Sequence, residues 1–356
     1  SCSKILVTNS LTLANNALVM IGDTCTGPPL EFRSGNQFIH GSGTIQLRKD
    51  DSNDDRALRL TTQVTLTIDA GITISSSIGT GTQSMVVDGG CTLINYGTIV
   101  TQSGTFRLNA SSPGARLTNN GTISASGGSF SLDASGVGAQ FANNGTLAFA
   151  NASVSEIKGD VWSNTSSITL DSANLSASGD WINSGTIVAT GSTFTTSGLA
   201  WLNNGGASFT NCSTIILANN WTNAGSINAS GGTLRFWKDW SNQGAVNTTD
   251  AALTLSGTFA SLGTLNRTGG VVSLEGQYTG SMLVATTQTG DLVLDGLLMN
   301  GATLLGQGAN LIFSSPTLTD CTIASDVSIG AARRMTVLGT LTLANNAAIT
   351  LGTPSP

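Results

Sequence analysis

Apolar residues recur through the middle of the chain in a seven-residue unit, at a period far longer than a helical turn. Trp181-Ile-Asn-Ser-Gly-Thr-Ile187, Trp221-Thr-Asn-Ala-Gly-Ser-Ile227 and Trp240-Ser-Asn-Gln-Gly-Ala-Val246 share one pattern. Shorter copies begin at Trp162 and Trp201, and copies led by Leu or Phe begin at Leu93, Leu117, Phe141 and Phe259. From Leu93 to Phe259 the first positions lie 24, 24, 21, 19, 20, 20, 19 and 19 residues apart. Self-similarity at about 20 residues marks a stacked repeat architecture. Gly and Thr recur inside each unit without a 3.6-residue apolar period, which argues against a helical repeat.

Parity along an extended strand assigns the faces. Trp181, Asn183, Gly185 and Ile187 share one side, predicted inward, and Ile182, Ser184 and Thr186 the other. A second apolar residue follows seven positions after the Ile or Val. The pairs are Ile99–Phe106, Ile123–Phe130, Leu147–Val154, Ile168–Leu175, Ile187–Phe194, Ile227–Leu234, Val246–Leu253 and Leu265–Val272, with Ala207–Ile215 one residue longer. Each unit therefore reads as strand, tight turn, strand. Stacking like on like puts Trp162, Trp181, Trp201, Trp221 and Trp240 in one ladder. The Asn positions form another, each amide donating to the next coil. An inward Asn needs that partner: each such bond is worth about 1 kcal/mol net, and a buried unpaired amide costs more.

The expected fold is all-β, a right-handed single-stranded parallel β-helix of about 20 residues per coil. One continuous solenoid over 1–356 is expected, with less regular coils at 1–90, a charged loop at 48–56, regular repeats at 91–274 and less regular coils at 275–356.

Composition supports an exterior built on hydroxyls and amides. Charged residues make up 10% of the chain, against roughly 25% in an average soluble domain. The lysines are Lys4, Lys49, Lys158 and Lys238, and the formal net charge is −6. Without a basic cluster, nucleic acid is not an expected partner. No apolar run of about 18 residues is present, so no membrane span is expected. Ser1-Cys2 suits a mature end left by leader removal, and equally an arbitrary boundary.

Candidate chemistry is sparse, and no catalytic, cofactor-binding or metal-ligating residue is assigned. Asp133, Asp160, Asp171, Asp180 and Asp239 are scattered over different coil positions, and His40, the only histidine, reads as structural. The charged cluster from Glu31 to Arg59 includes Asp51-x-Asn53-x-Asp55, a faint calcium-loop spacing with Arg56 where such loops carry Gly. A solvated projecting loop is the preferred reading. The cysteines Cys2, Cys25, Cys91, Cys212 and Cys321 are odd in number and show no metal spacing. Cys2 and Cys25 are placed to staple one end, Cys212 reads as a small residue in a turn, and an unpaired thiol permits cross-linking between copies. No side chain from Trp181 to Leu234 is charged, a surface suited to lateral packing or glycan contact. Eleven N-x-[ST] sequons, among them Asn109, Asn120, Asn144 and Asn164, are close to the number chance gives. Thr65-Leu-Thr67 fits an ice-binding array locally, but the repeats do not continue a T-x-T row.

The W-x-N-x-G-[ST]-I units resemble the repeats of filamentous-haemagglutinin-like adhesins and related bacterial surface β-helix proteins, over Leu93 to Leu274. The resemblance implies export and an adhesive or scaffold role. The family's secretion-partner domain, membrane barrel and anchoring segment are not recognisable in these residues. Leu11-Thr-Leu-Ala-Asn-Asn-Ala17 recurs as Leu341-Thr-Leu-Ala-Asn-Asn-Ala347, which suggests that one copy continues the stack of the next. The expectation is a non-enzymatic, secreted structural subunit of an extracellular filament or matrix, self-associating head to tail. A surface adhesin or glycan-binding β-helix is the alternative, and a polysaccharide lyase or hydrolase a distant third.

Overall fold

The computed structural model describes residues 4–21, 30–48, 56–76, 81–151 and 154–353. Cys2, Cys25 and residues 49–55, with Asp51, Asn53 and Asp55 of the calcium-like segment, lie outside the described residues. The described residues form 43 parallel strands and no helix, stacked in coils of roughly 21 residues. They fall into two compact units, Ser1–Gly198 and Leu199–Pro356, and each is a parallel β-solenoid.

A coil holds three strands, not the two expected from the strand-turn-strand reading. In the first unit one coil runs through Arg116–Asn119, Thr122–Ser126 and Ser129–Ala134. The next runs through Gln140–Asn143, Thr146–Ala150 and Ser155–Asn164, with Leu117 opposite Phe141, Ile123 opposite Leu147 and Phe130 opposite Ser155. In the second unit Asn220–Asn223, Ser226–Ser230 and Thr233–Phe236 pair with Asp239–Asn242, Ala245–Thr249 and Ala252–Leu255.

The extra bend falls at the Asn-x-Gly step. The carbonyl of Asn95 accepts the N–H groups of Asn120 and Gly121 at 2.7 and 2.9 Å, and that of Asn203 accepts those of Ala224 and Gly225, both at 2.8 Å. Bringing two successive amides onto one carbonyl presses the next coil against the backbone below. A Cβ at Gly121 would stand 2.1 Å from the Gly97 oxygen, and one at Gly225 2.0 Å from the Gly205 oxygen. Close approach between coils therefore fixes the motif glycine. The following corner uses left-handed residues instead: Ser172, Asn211 and Asp250 have φ of 51°, 52° and 51°, a region that Asn and Asp tolerate best among non-glycine residues. Each is followed by a small buried residue, Ala173, Cys212 or Ala251. Cys212 is thus the small turn residue expected.

Both core ladders form. Trp162 stacks on Trp181 at 4.2 Å with rings 5° apart, and Trp221 lies 5.7 Å from Trp201 and 5.8 Å from Trp240. Phe259 continues the second stack at 4.7 Å from Trp240. In the first unit Asn95 donates to Asn119, Asn119 to Asn143, Asn143 to Asn164 and Asn164 to Asn183, at 2.7–2.8 Å. In the second, Asn203 donates to Asn223 and Asn223 to Asn242, at 2.7 and 2.8 Å. The sequon at Asn164 lies inside this ladder, so its amide is closed to a sugar in the folded coil.

Two third-strand assignments change. Val154 is exposed and Ser155 takes the inward place between Phe130 and Leu175. Thr214, not Ile215, is the inward residue opposite Leu234. The spacing of seven holds at Thr214, and one added residue before Ser155 displaces Val154. Cys91, Cys212 and Cys321 are free and buried, and burial pushes the Cys91 thiol up. None of these three is available to cross-link folded copies.

Candidate functional site

His40 sits on the surface of the first unit. It lies inside the strand Asn36–Leu47, with its ring stacked on Phe38 at 4.6 Å. Its Nδ1 is 2.8 Å from the Asp69 carboxylate, on a half-exposed surface. Of the scattered aspartates, Asp180 and Asp239 each precede a ladder tryptophan, and one lines a charged groove. Asp133 joins Arg107, Glu156 and Lys158 around a groove of about 270 Å³ in the first unit. Coil offsets of 24 and 25 residues bring these charges together, as the pairings of Asn109 with Asp133 and of Asp133 with Lys158 show. The Glu156 carboxylate is tied to Lys158 at 2.9 Å. Among the described residues no group of three or more His, Cys, Asp or Glu is placed to hold a metal ion. No helix among them is long and apolar enough to cross a membrane.

The most distinctive surfaces are the strands that pair on one side only among the described residues. In the second unit, Thr336–Leu343 pairs with Thr317–Ile323, and Ile349–Thr353 with Val327–Gly330. Register places Val337, Leu341, Leu343, Ile349 and Leu351 inward, above Leu318, Cys321, Ile323, Val327 and Ile329. The lower set is buried. The upper set is not: Val337 is 39%, Leu343 48% and Leu351 72% exposed. Among the described residues, apolar core positions and backbone groups are thus both left uncovered on this edge.

In the first unit, Ile5–Val7 pairs with Leu30–Arg33, and Ser10–Ile21 with Asn36–Leu47. Ile5, Val7, Leu11, Val19 and Ile21 point inward, opposite Leu30, Phe32, Ile39, Ile45 and Leu47. This edge is anchored by Glu31, which is buried and bound by Lys4, by Arg33 at 2.5 Å and by the Thr61 hydroxyl at 3.1 Å. Burial alone pushes the Glu31 carboxyl up, but the hydrogen bonds from Arg33, Lys4 and Thr61 outweigh it and hold its pKa at about 2.

The two edge coils correspond residue for residue. Adding 330 to residues 5–21 gives 335–351, and eight of these 17 positions are identical. Ile5, Val7, Leu11, Leu13, Val19 and Ile21 map onto Met335, Val337, Leu341, Leu343, Ile349 and Leu351, apolar at every position. The shared Asn-Asn pair is left-handed in both coils, with φ of 53° and 56° at Asn15 and Asn16 and of 55° and 57° at Asn345 and Asn346. The sequence repeat thus carries a repeated backbone shape, which the sequence alone did not show.

No protein-family model matches the chain, and no curated protein or solved structure is significantly similar to it.

Proposed function

We propose that this protein is a secreted structural subunit of an extracellular filament or matrix, assembled head to tail by stacking of its edge coils. The observation that carries this reading is the match between residues 5–21 and 335–351 in sequence, inward apolar pattern and left-handed corner. Inside each unit the coils stack like on like, Trp on Trp and Asn on Asn. A second copy docking Leu11–Ala17 onto Leu341–Ala347 continues that rule, placing Leu11 over Leu341, Leu13 over Leu343, Val19 over Ile349 and Ile21 over Leu351. The contact is heterologous and does not close on itself by necessity, which is how open filaments grow. The low charge and the resemblance of the W-x-N-x-G-[ST]-I units to filamentous-haemagglutinin-like adhesins support an extracellular, non-enzymatic scaffold role.

Thr12 and Thr342 test the junction directly. Both are exposed outward positions that the stacking places one coil apart, about 4.8 Å, within the Cα separation a disulfide spans. Copies carrying both Thr12→Cys and Thr342→Cys are expected to give a covalent ladder of multimers on oxidation, whereas the parent chain does not. A strand-breaking Thr342→Pro should abolish assembly seen by electron microscopy. A parent protein that stays monomeric at high concentration, or assemblies that survive Thr342→Pro unchanged, would overturn the mechanism.

A further inference from the structure

Five of the six tryptophans are buried in the core, but Trp237 is 36% exposed. It stands at the corner between Thr233–Phe236 and Asp239–Asn242. Backbone bonds stack this corner through the second unit. The Trp237 N–H donates to the Ile216 carbonyl at 2.9 Å, Ser256 to Phe236 at 2.8 Å, Glu275 to Leu255 at 2.8 Å and Asp295 to Leu274 at 2.9 Å. Trp237, Ser256, Glu275 and Asp295 therefore form one column, a residue per coil, at steps of about 4.8 Å. The residues after the last three are Gly257, Gly276 and Gly296, so a side-chain-free ledge runs beside the column.

Polar groups converge on the same corner. The guanidinium of Arg235 lies over the Trp237 ring at 4.9 Å and reaches Glu275 at 3.5 Å. The Ser256 hydroxyl donates to the same carboxylate oxygen that Arg235 reaches, Glu275 Oε2, at 2.9 Å. The Arg235 Nε–H is covered by the protein and has no acceptor, a cost borne within the fold.

We propose that this corner is a saccharide-binding site for a neutral oligosaccharide. The partly exposed indole supplies a plane for the C–H face of a pyranose ring, and the glycine ledge lets a flat ring approach the backbone. Glu275 and Asp295 accept from sugar hydroxyls, and Arg235 donates to sugar oxygens. Glu275 and Asp295 are balanced by Arg235 and by Lys238, which follows Trp237 and lies under Gly257, and this near-neutral corner suits a neutral rather than a charged polymer. Binding here is independent of edge stacking, so the two proposals fail separately.

The buried state of the other five tryptophans makes Trp237 the main target of an aqueous quencher. Cellohexaose, xylohexaose, laminarihexaose and chitohexaose are titrated in turn against the full chain while acrylamide quenching of tryptophan fluorescence is read. At least one is expected to shield Trp237, and isothermal titration calorimetry, which does not depend on the indole, should show Trp237→Ala weakening its affinity by about tenfold or more. Trp237→Phe should keep part of the affinity, and Glu275→Gln should weaken it without altering the circular dichroism. If none of the probes shields the indole, or if Trp237→Ala binds as the parent does, the site is overturned.

Discussion

Thr214 and Leu351 both point into a coil of the second unit, yet their surroundings reverse their chemistry. Thr214 is 0% exposed although it carries a hydroxyl, whereas Leu351 is 72% exposed although it is aliphatic. Thr214 belongs to a coil whose next neighbour covers it through Leu234. Among the described residues Leu351 has a strand neighbour on one side, Ile329. In a solenoid a residue's place in the stack decides its burial, because each coil contacts only the coils adjacent to it. The same dependence turns an edge coil into a binding surface and an interior coil into core.

The sharpest test of this contrast compares truncations in the two settings. Trp221 lies between Trp201 and Trp240 and meets Phe236 edge-on at 4.6 Å. Trp221→Ala should destabilise the second unit by about 4 kcal/mol through lost burial and a cavity. Leu343→Ala should cost about 1 kcal/mol in the dilute monomer, since half of that side chain is already wet. Urea unfolding followed by circular dichroism measures both. In assembled material the Leu343→Ala penalty should rise toward the about 3 kcal/mol of an interior leucine. Equal penalties for the two variants in the monomer would break the comparison.

A smaller effect separates the edge coil of the first unit from its interior by pH. The Glu31 carboxyl is lowered from 4.5 to about 2. A depressed carboxylate stabilises the fold above its unfolded pKa and ceases to do so as pH falls through its folded value. The anchor of Ile5–Val7 onto Leu30–Arg33 is therefore intact above pH 4.5 and lost progressively toward pH 2. Hydrogen exchange at the amides of Ile5–Val7 should accelerate in that window relative to those of Phe106–Leu108. Glu31→Gln should exchange rapidly at the edge at every pH. Identical exchange in parent and variant at pH 6 would remove Glu31 as the anchor.

How far these features are legible in the sequence depends on what marks them. The Trp and Asn ladders announce themselves because each coil must repeat a large or amide side chain at one place. The third strand per coil does not. Trp181, Asn183, Gly185 and Ile187 keep one parity across the Asn-x-Gly bend, so alternation reads straight through it. Val154 and Ile215 mislead for a different reason. One residue inserted before Ser155, and a polar inward Thr214, break the apolar marker but not the register. The Trp237 corner carries no apolar repeat at all. Its Ser256, Glu275 and Asp295 become neighbours only when offsets of 19, 19 and 20 residues are applied to positions that do not resemble one another.

Thr214 also supplies the smallest and most exacting prediction. Its Oγ1 is buried without a hydrogen-bond partner, so folding strips water from the hydroxyl and returns nothing. Valine has nearly the same shape and the same β-branched preference for a strand. Thr214→Val should therefore stabilise the second unit by about 1 kcal/mol. Thr196 in the first unit is the matched opposite. It is equally buried, but its hydroxyl accepts the Trp181 indole N–H at 2.8 Å. Thr196→Val should destabilise by about 1–3 kcal/mol, because the indole donor is left buried and unpaired. The two substitutions are chemically identical, so differences in propensity and volume cancel. Opposite signs in thermal unfolding would show that pairing, not polarity, sets the energy of an inward hydroxyl. A destabilising Thr214→Val would mean that this hydroxyl holds a partner in the coil interior, and the account of Thr214 as an unpaired group would fall.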